Sequence, residues 1–364
     1  MNKKVLLYIG SRANYSSARS LLYAFKKHKL LEPIVVLGAA GLVDKYGNLE
    51  DLIKSDGFNV NHKISFLVEG GKLENMAQSC GIAMNNFPSI IEKYKPDYIF
   101  VIGDRFDVLP IASTAMLMNI PLAHIESGLR SFDKNMPEEK NRILVDHISD
   151  LLFVSEISGI DNLKKEGISG DMVHLVGNCM IDSLISILPQ SKEKKPWERF
   201  NLCEKEYTLV TLHRPSNVDK NIEKTIDLLN LLSNENKLLF PVHPRTMKQI
   251  HKYKKKLNDN IVLCDPLSYI DFLGIMSEAN IVVTDSGGIQ EETTYLGVQC
   301  VTFRDNTERP ITVDIGTNHL VGTNIEDLIK TFKKITSGDR KNGKIPEKWD
   351  GKTADRILDV IINL

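Results

Sequence analysis

The chain has 364 residues with 46 Lys and Arg against 47 Asp and Glu, a formal net charge of −1, and its 42% hydrophobic content is that of an ordinary globular protein. The length suits two domains of roughly 150 to 200 residues each, and the absence of a basic surplus argues against a dedicated nucleic-acid binder. The cysteines (Cys80, Cys179, Cys203, Cys264, Cys300) are odd in number, widely spaced and lack a C-x-x-C, which argues against a disulfide framework or a structural zinc site.

Short apolar strands alternate with helical patterns along the chain, the signature of parallel βαβ units. Residues 5–10 (VLLYIG) read as a buried strand, and a helix is predicted from near Ser16, with Leu21, Leu22 and Phe25 on one face. Further strands are predicted at 33–37 and 97–102, then a helix over 111–118 and a strand over 121–125. The uncharged run from Val108 to Ile125 is broken by Pro110, Asn119, Pro121 and His124, so it reads as helix then strand and not as a membrane span. With no targeting segment either, a cytoplasmic location is expected. Strands at 151–154 and 172–176 close the first half.

The stretch 190–206 (QSKEKKPWERFNLCEKE) is dense in charge and broken by Pro196, like a surface excursion near a domain junction. Strands then resume at 207–212, 238–242, 261–263, 281–284 and 300–303. The expected organisation is α/β: two Rossmann-like domains, 1–175 and 176–353, meeting across a ligand cleft.

In open α/β sheets ligands lie beyond the carboxyl ends of the strands. The first-half exits read Gly10-Ser11-Arg12, Gly103-Asp104-Arg105 and Glu126-Ser127-Gly128. Those of the second half read His213-Arg214, His243-Pro244 and Asp285-Ser286-Gly287-Gly288. In TDSGGIQEE (284–292) a strand runs through Ser-Gly-Gly into a helix expected to begin near Ile289, an arrangement whose free N–H groups and dipole suit a phosphate. Glu291 and Glu292 would then stand in the first turn and compete for its positive end. Asp104, Glu126, Asp133, Glu138 and Glu139 form an acidic set from which an acid and a base could be drawn; the plainer alternatives are an N-cap for Asp104 and a Glu138–Arg142 bridge. Arg309, in NTERP (306–310), could grip a pyrophosphate or be a solvated loop arginine. No H-x-x-x-H or H-E-x-x-H occurs, so no metal site is expected, and without G-x-G-x-x-G after the first strand neither is a stored NAD.

HIESGLRSFD (124–133), PEEKNR (137–142), LHRPSN (212–217), TDSGGIQEE (284–292) and RDNTERP (304–310) resemble the UDP-N-acetylglucosamine 2-epimerase family. The resemblance implies a two-domain fold of the glycosyltransferase-B type with its active site in the cleft, and a C-terminal helix (354–364) crossing back to the first domain. Residue by residue, it implies that Arg12 reaches the nucleotide phosphates, that Asp104, Glu126 and Glu138 serve proton transfer, and that His213 and Arg214 lie near the diphosphate. It also makes Ser286, Gly287, Gly288, Glu292 and Arg309 nucleotide contacts, with His243 and Arg142 beside the substrate and Phe272 in the uracil pocket. A UDP-sugar substrate, no stored cofactor and a homodimer follow by the same analogy.

Two stretches depart from the non-hydrolysing pattern. GSRANYSSAR (10–19) and GDRFDVLP (103–110), with DKYGN (44–48), look like the hydrolysing branch that releases N-acetylmannosamine. SGLRS (127–131), PEE and TERP belong instead to the non-hydrolysing branch, which is favoured. Its chemistry is elimination of UDP across C1–C2 to 2-acetamidoglucal, followed by re-addition.

Overall fold

The computed structural model describes residues 2–43, 48–70, 72–213, 222–252 and 256–364. They divide into two compact units, Met1–Ser183 with Glu347–Leu364, and Leu184–Pro346. The first begins with β1 (Lys3–Ile9), α1 (Arg12–Lys27), β2 (Leu31–Gly38), α2 (Leu49–Ser55), β3 (His62–Ile64) and α3 (Leu73–Tyr94). It continues through β4 (Tyr98–Ile102), α4 (Val108–Leu117), β5 (Leu122–Ser127), α5 (Pro137–Ile148), β6 (Leu151–Val154), α6 (Ile157–Lys165) and β7 (Val173–Leu175). Helix α7 (Cys179–Glu193) leads into β8 (Tyr207–Thr211), α8 (Ile222–Leu232), β9 (Lys237–Pro241), α9 (Pro244–Lys252) and β10 (Ile261–Cys264). Then come α10 (Tyr269–Ser277), β11 (Ile281–Thr284), α11 (Gly287–Leu296), β12 (Gln299–Thr302), α12 (Ile311–Asp314), β13 (Asn318–Leu320) and α13 (Ile325–Thr336). The last element, α14 (Thr353–Asn363), returns to the first unit.

Among the described residues the first unit carries a parallel sheet of order β3-β2-β1-β4-β5-β6-β7 and the second one of order β10-β9-β8-β11-β12-β13. Successive side chains of a strand point to opposite faces, and both faces here are covered by helices, which is why the strands read as unbroken apolar runs. In β1, Val5, Leu7 and Ile9 join Leu21, Phe25, Ile357 and Leu358 in one core. Leu6 and Tyr8 face a second core with Phe87, Ile90 and Ile111. The second unit packs Val210, Phe240, Val283 and Phe332. Helix α14 is tied down further: Trp349, just before it, donates its indole N–H to Ser155 O at 2.9 Å, and Arg356 Nη1 donates to Val176 O at 2.9 Å.

Every strand expected from apolar runs is present within a few residues of its predicted ends. Strands β3 and β13 were not anticipated; each is three residues long with a histidine inside. The charged stretch 190–206 is less superficial than it reads, since residues 190–193 still belong to α7 while Trp197 and Leu202 are buried. Among the described residues no helix is long and apolar enough to cross a membrane.

Candidate active site

The strand order of each sheet reverses once, at β1/β4 in the first unit and at β8/β11 in the second, and ligand crevices of such folds open at that reversal. At β1/β4 the exits lead to α1 and α4. Ser11 caps α1, accepting from Asn14 N at 3.3 Å, and Asn14 Nδ2 in turn donates to Ile102 O at 3.0 Å, joining the two exits. Arg12 is exposed as the first residue of α1. A cavity of about 720 Å³ opens there, with Ser11, Arg12, Lys72, Asn75, Arg105 and Phe106 in its wall.

Asp104 follows Gly103, whose φ of +69° turns the chain out of β4. Its carboxylate accepts from Arg142 Nε at 3.0 Å and also from Nη2, and its carbonyl accepts from Asn141 Nδ2 at 3.0 Å. Arg142 is buried and donates from Nη1 to Glu139 at 2.8 Å. Glu139 also accepts from the Ser131 amide and hydroxyl, each at 2.9 Å, and from the Phe132 amide at 2.8 Å. The alternatives weighed from spacing are therefore both overturned. The cap of α4 is Asp107, not Asp104, and Arg142 pairs with Glu139 and Asp104 instead of Glu138. Glu139 is the acid whose side chain reaches the backbone of the 131–132 turn, whereas Glu138 is exposed in the first turn of α5.

Glu126 has φ +68°, at a register shift between Ile125 and Ser127 where β5 pairs with β6. A bulge that forces a non-glycine residue into the left-handed region re-aims its side chain and costs on the order of 1 kcal/mol or more. Its carboxylate accepts from Ser17 Oγ at 2.7 Å, and a Cβ built on Gly103 would stand 3.6 Å from its Oε2. Glu126 thus lies beside the β4 exit.

At β8/β11, His213 lies two residues beyond β8 and Asp285 immediately follows β11. Asp285 is fully buried, and its carboxylate lies 2.8 Å from His213 Nδ1 while accepting from the His213 amide at 3.1 Å. That pairing orients a ring whose side chain is 62% exposed, leaving Nε2 outward. Helix α11 begins at Gly287 with Ser286 as its cap residue, two positions before the expected start. Glu291 and Glu292 therefore fall in the second turn, and the first turn carries no acid to oppose an anion. Both acids are engaged. Glu291 lies 2.8 Å from Arg309 Nε, and Arg309 Nη1 also pairs with Glu308. This guanidinium rests over the helix start, where a Cβ on Gly287 would meet Nη1 at 2.6 Å. Glu292 accepts from Tyr269 Oη at 2.6 Å; burial pushes its carboxyl up to about 7 while the tyrosine hydrogen bond works the other way. The 304–310 loop is fixed from inside, Thr307 Oγ1 and Asn318 Nδ2 both donating to Gln290 Oε1 at 2.7 and 3.0 Å.

Of the remaining expected residues, His243 is exposed at the exit of β9 and Phe272 half-buried on α10. Ser286, Gly287 and Gly288 are partly exposed at the start of α11. Arg214 and most of DKYGN lie outside the described residues. Ser17, Asp146 and Tyr269 lie on helices, away from the strand exits that stand out in the sequence.

The family model described as UDP-N-acetylglucosamine 2-epimerase matches residues 24–362. A UDP-N-acetylglucosamine 2-epimerase of Methanococcus maripaludis is 39% identical over 71% of this chain and 74% of its own length. A UDP-2,3-diacetamido-2,3-dideoxy-D-glucuronate 2-epimerase of Pseudomonas aeruginosa is 31% identical over 99% of this chain and 100% of its own. The crystal structure of the Methanocaldococcus jannaschii UDP-GlcNAc 2-epimerase in complex with UDP-GlcNAc and UDP superposes with a TM-score of 0.86 at 32% identity, covering 99% of this chain and 100% of that one.

Proposed function

This chain belongs to the UDP-N-acetylglucosamine 2-epimerase family, and from that premise we propose that it inverts C2 of a UDP-linked 2-acetamido sugar without releasing the product from UDP. The C2 proton is not flanked by a carbonyl, so simple removal and return is closed to it. A carboxylate from the set Asp104, Glu126 and Glu138 takes the C2 proton. The C1–O bond breaks with its electron pair leaving on the β-phosphate of UDP, and a C1=C2 double bond forms. A second acid of the set protonates C2 on the opposite face while UDP returns to C1.

The observation that carries this reading is the pair of adjacent exits in the first unit, where Asp104 is held by Arg142 and Glu126 sits on a bulge beside Gly103. Stabilisation of the leaving diphosphate is assigned to Arg12, His213, Arg214, Arg309 and the start of α11 at Ser286, Gly287 and Gly288. Glu292 is assigned to the ribose, with Phe272 at the uracil and His243 near the nucleotide.

The experiment is proton and phosphorus NMR of the protein with UDP-N-acetylglucosamine in D₂O. UDP-N-acetylmannosamine deuterated at C2, with little free UDP, is the expected result. Stoichiometric UDP with free N-acetylmannosamine would replace this reading by the hydrolysing one, which GSRANY and GDRFD in the first third favour. With no change at all, the next substrate is the diacetamido uronate that names the P. aeruginosa relative. The product is assigned to polysaccharide biosynthesis in the cytoplasm. A homodimer is part of the proposal, supported by Met116, Leu117 and Leu144 exposed on the adjoining helices α4 and α5. Light scattering on the purified chain checks it.

A further inference from the structure

Behind the two acidic exits lies a buried polar cluster that the proposed chemistry does not use. Asp146, on α5, is fully buried. Its Oδ1 stands 2.7 Å from His124 Nδ1, and its Oδ2 accepts from the Gly128 amide at 3.1 Å and from Arg130 Nη1 at 2.7 Å. His124, also fully buried on β5, points its other nitrogen at Gly103 O, 3.0 Å away. Arg130 closes the cluster outward on Glu166, with Nε at 2.8 Å and Nη2 at 2.6 Å.

We propose that Asp146 is a positioning residue for the acid–base step, one carboxylate that fixes both strand exits at once. This rests on the function proposed above. Through His124 it holds the Gly103 carbonyl, and Gly103 launches Asp104. Through the Gly128 amide it holds the far side of the bulge that aims Glu126, two residues earlier. One turn before Asp146 on the same helix, Asn141 and Arg142 grip the Asp104 carbonyl and carboxylate directly. Helix α5 thereby holds the Asp104 segment directly through Asn141 and Arg142 and, through His124, at Gly103, while Asp146 also holds the Gly128 amide beyond Glu126.

A carboxylate, an imidazole and a guanidinium taken out of water are costly, and well-packed apolar residues would serve mere stability as well or better. What apolar packing cannot supply is direction. Oδ1 and Oδ2 each fix a different partner, so an alanine releases both sides, whereas an asparagine keeps Oδ1 on Gly128 and Arg130 and turns Nδ2–H to a neutral His124 ring that still donates from Nε2. Misplacing a general base by about 1 Å costs on the order of 100-fold in rate.

The test compares Asp146→Ala, His124→Phe, His124→Gln and Glu166→Gln with the wild type. It reads kcat, KM, the dissociation constant of UDP, deuterium incorporation at C2 and thermal stability. Asp146→Ala and His124→Phe should lower kcat and C2 exchange about 30- to 100-fold, with KM and UDP affinity within about three-fold. His124→Gln keeps a donor towards Gly103 O and should recover most of the His124→Phe loss. Glu166→Gln, at the solvent end, should change turnover less than about two-fold. Turnover of Asp146→Ala and His124→Phe within about three-fold of a working wild type would overturn the assignment, as would parallel losses in kcat, KM and UDP affinity. Should Asp146→Ala not fold, the contrast between His124→Phe and His124→Gln decides, equal loss in both counting against the proposal. A wild type that exchanges no C2 hydrogen would instead fail the functional reading itself.

Discussion

The two units share one strand order around their central strands, yet their exits are prepared in opposite ways. In the first unit the exit side chains are carboxylates, Asp104 held by Asn141 and Arg142 of helix α5 and Glu126 by Ser17 of α1. In the second, the cationic and imidazole groups are already matched with acids: His213 with Asp285, and Arg309 with Glu291 and Glu308. A base that must take a proton is useful when its position is fixed and an oxygen remains available. A cation that must receive a diphosphate is useful when held ready by acids it can partly exchange. On the function proposed above, the same scaffold serves proton transfer in the first unit and most of the anion capture in the second, because strand order fixes where side chains emerge but not which partners await them.

The largest expected effect separates the two tasks. Asp104→Asn should lower turnover by about 10²- to 10⁴-fold while UDP, titrated calorimetrically, binds within about three-fold of wild type. A matching loss of UDP affinity would erase the distinction between the units. The reciprocal change is Asp285→Asn, which releases the His213 ring from its carboxylate. It should weaken UDP and reduce kcat/KM together by about 10- to 100-fold, and an unaltered UDP affinity would remove His213 from anion capture.

A smaller effect sharpens the second unit alone. Glu292 has its carboxyl raised by burial from the usual 4.5 to about 7, with the Tyr269 hydrogen bond opposing. In the unliganded protein the folded chain therefore holds a proton that the unfolded chain releases. Stability falls as pH rises from about 4.5 to about 7, by up to about 3 kcal/mol. Glu292→Gln abolishes that slope, so its melting temperature minus that of wild type should grow between pH 5 and pH 8. A pH-independent difference would show that burial does not penalise this carboxylate.

Much of this was legible from the sequence because fully covered parallel strands are written as apolar runs, and their polar exits stand out against them. Asp104, Glu126, His213 and Ser286 were marked in that way. What escaped notice depended on neighbours distant in sequence. Strands β3 and β13 pair along only three residues each and carry no run of their own. Helix α11 starts on two glycines that intrinsic propensity disfavours, so its predicted start fell at Ile289 and its acids in the wrong turn. The partner of Arg142 is chosen by the amides of the 131–132 turn, which draw in Glu139 and leave Glu138 outside. Asp146 looks like any helical acid until His124 and Gly128 are brought against it.

The return of residues 347–364 to the first unit has a consequence for how the chain matures on the ribosome. Ile357, Leu358 and Ile361 fill the core against α1, so that core stays open until the whole of 184–346 has been synthesised. The second unit, though made later than most of the first, holds all its own strands and can close before it. Vectorial synthesis therefore finishes the units in the reverse of the order in which they begin. In the interval the nascent first unit bears an uncovered apolar face of the kind that chaperones shield.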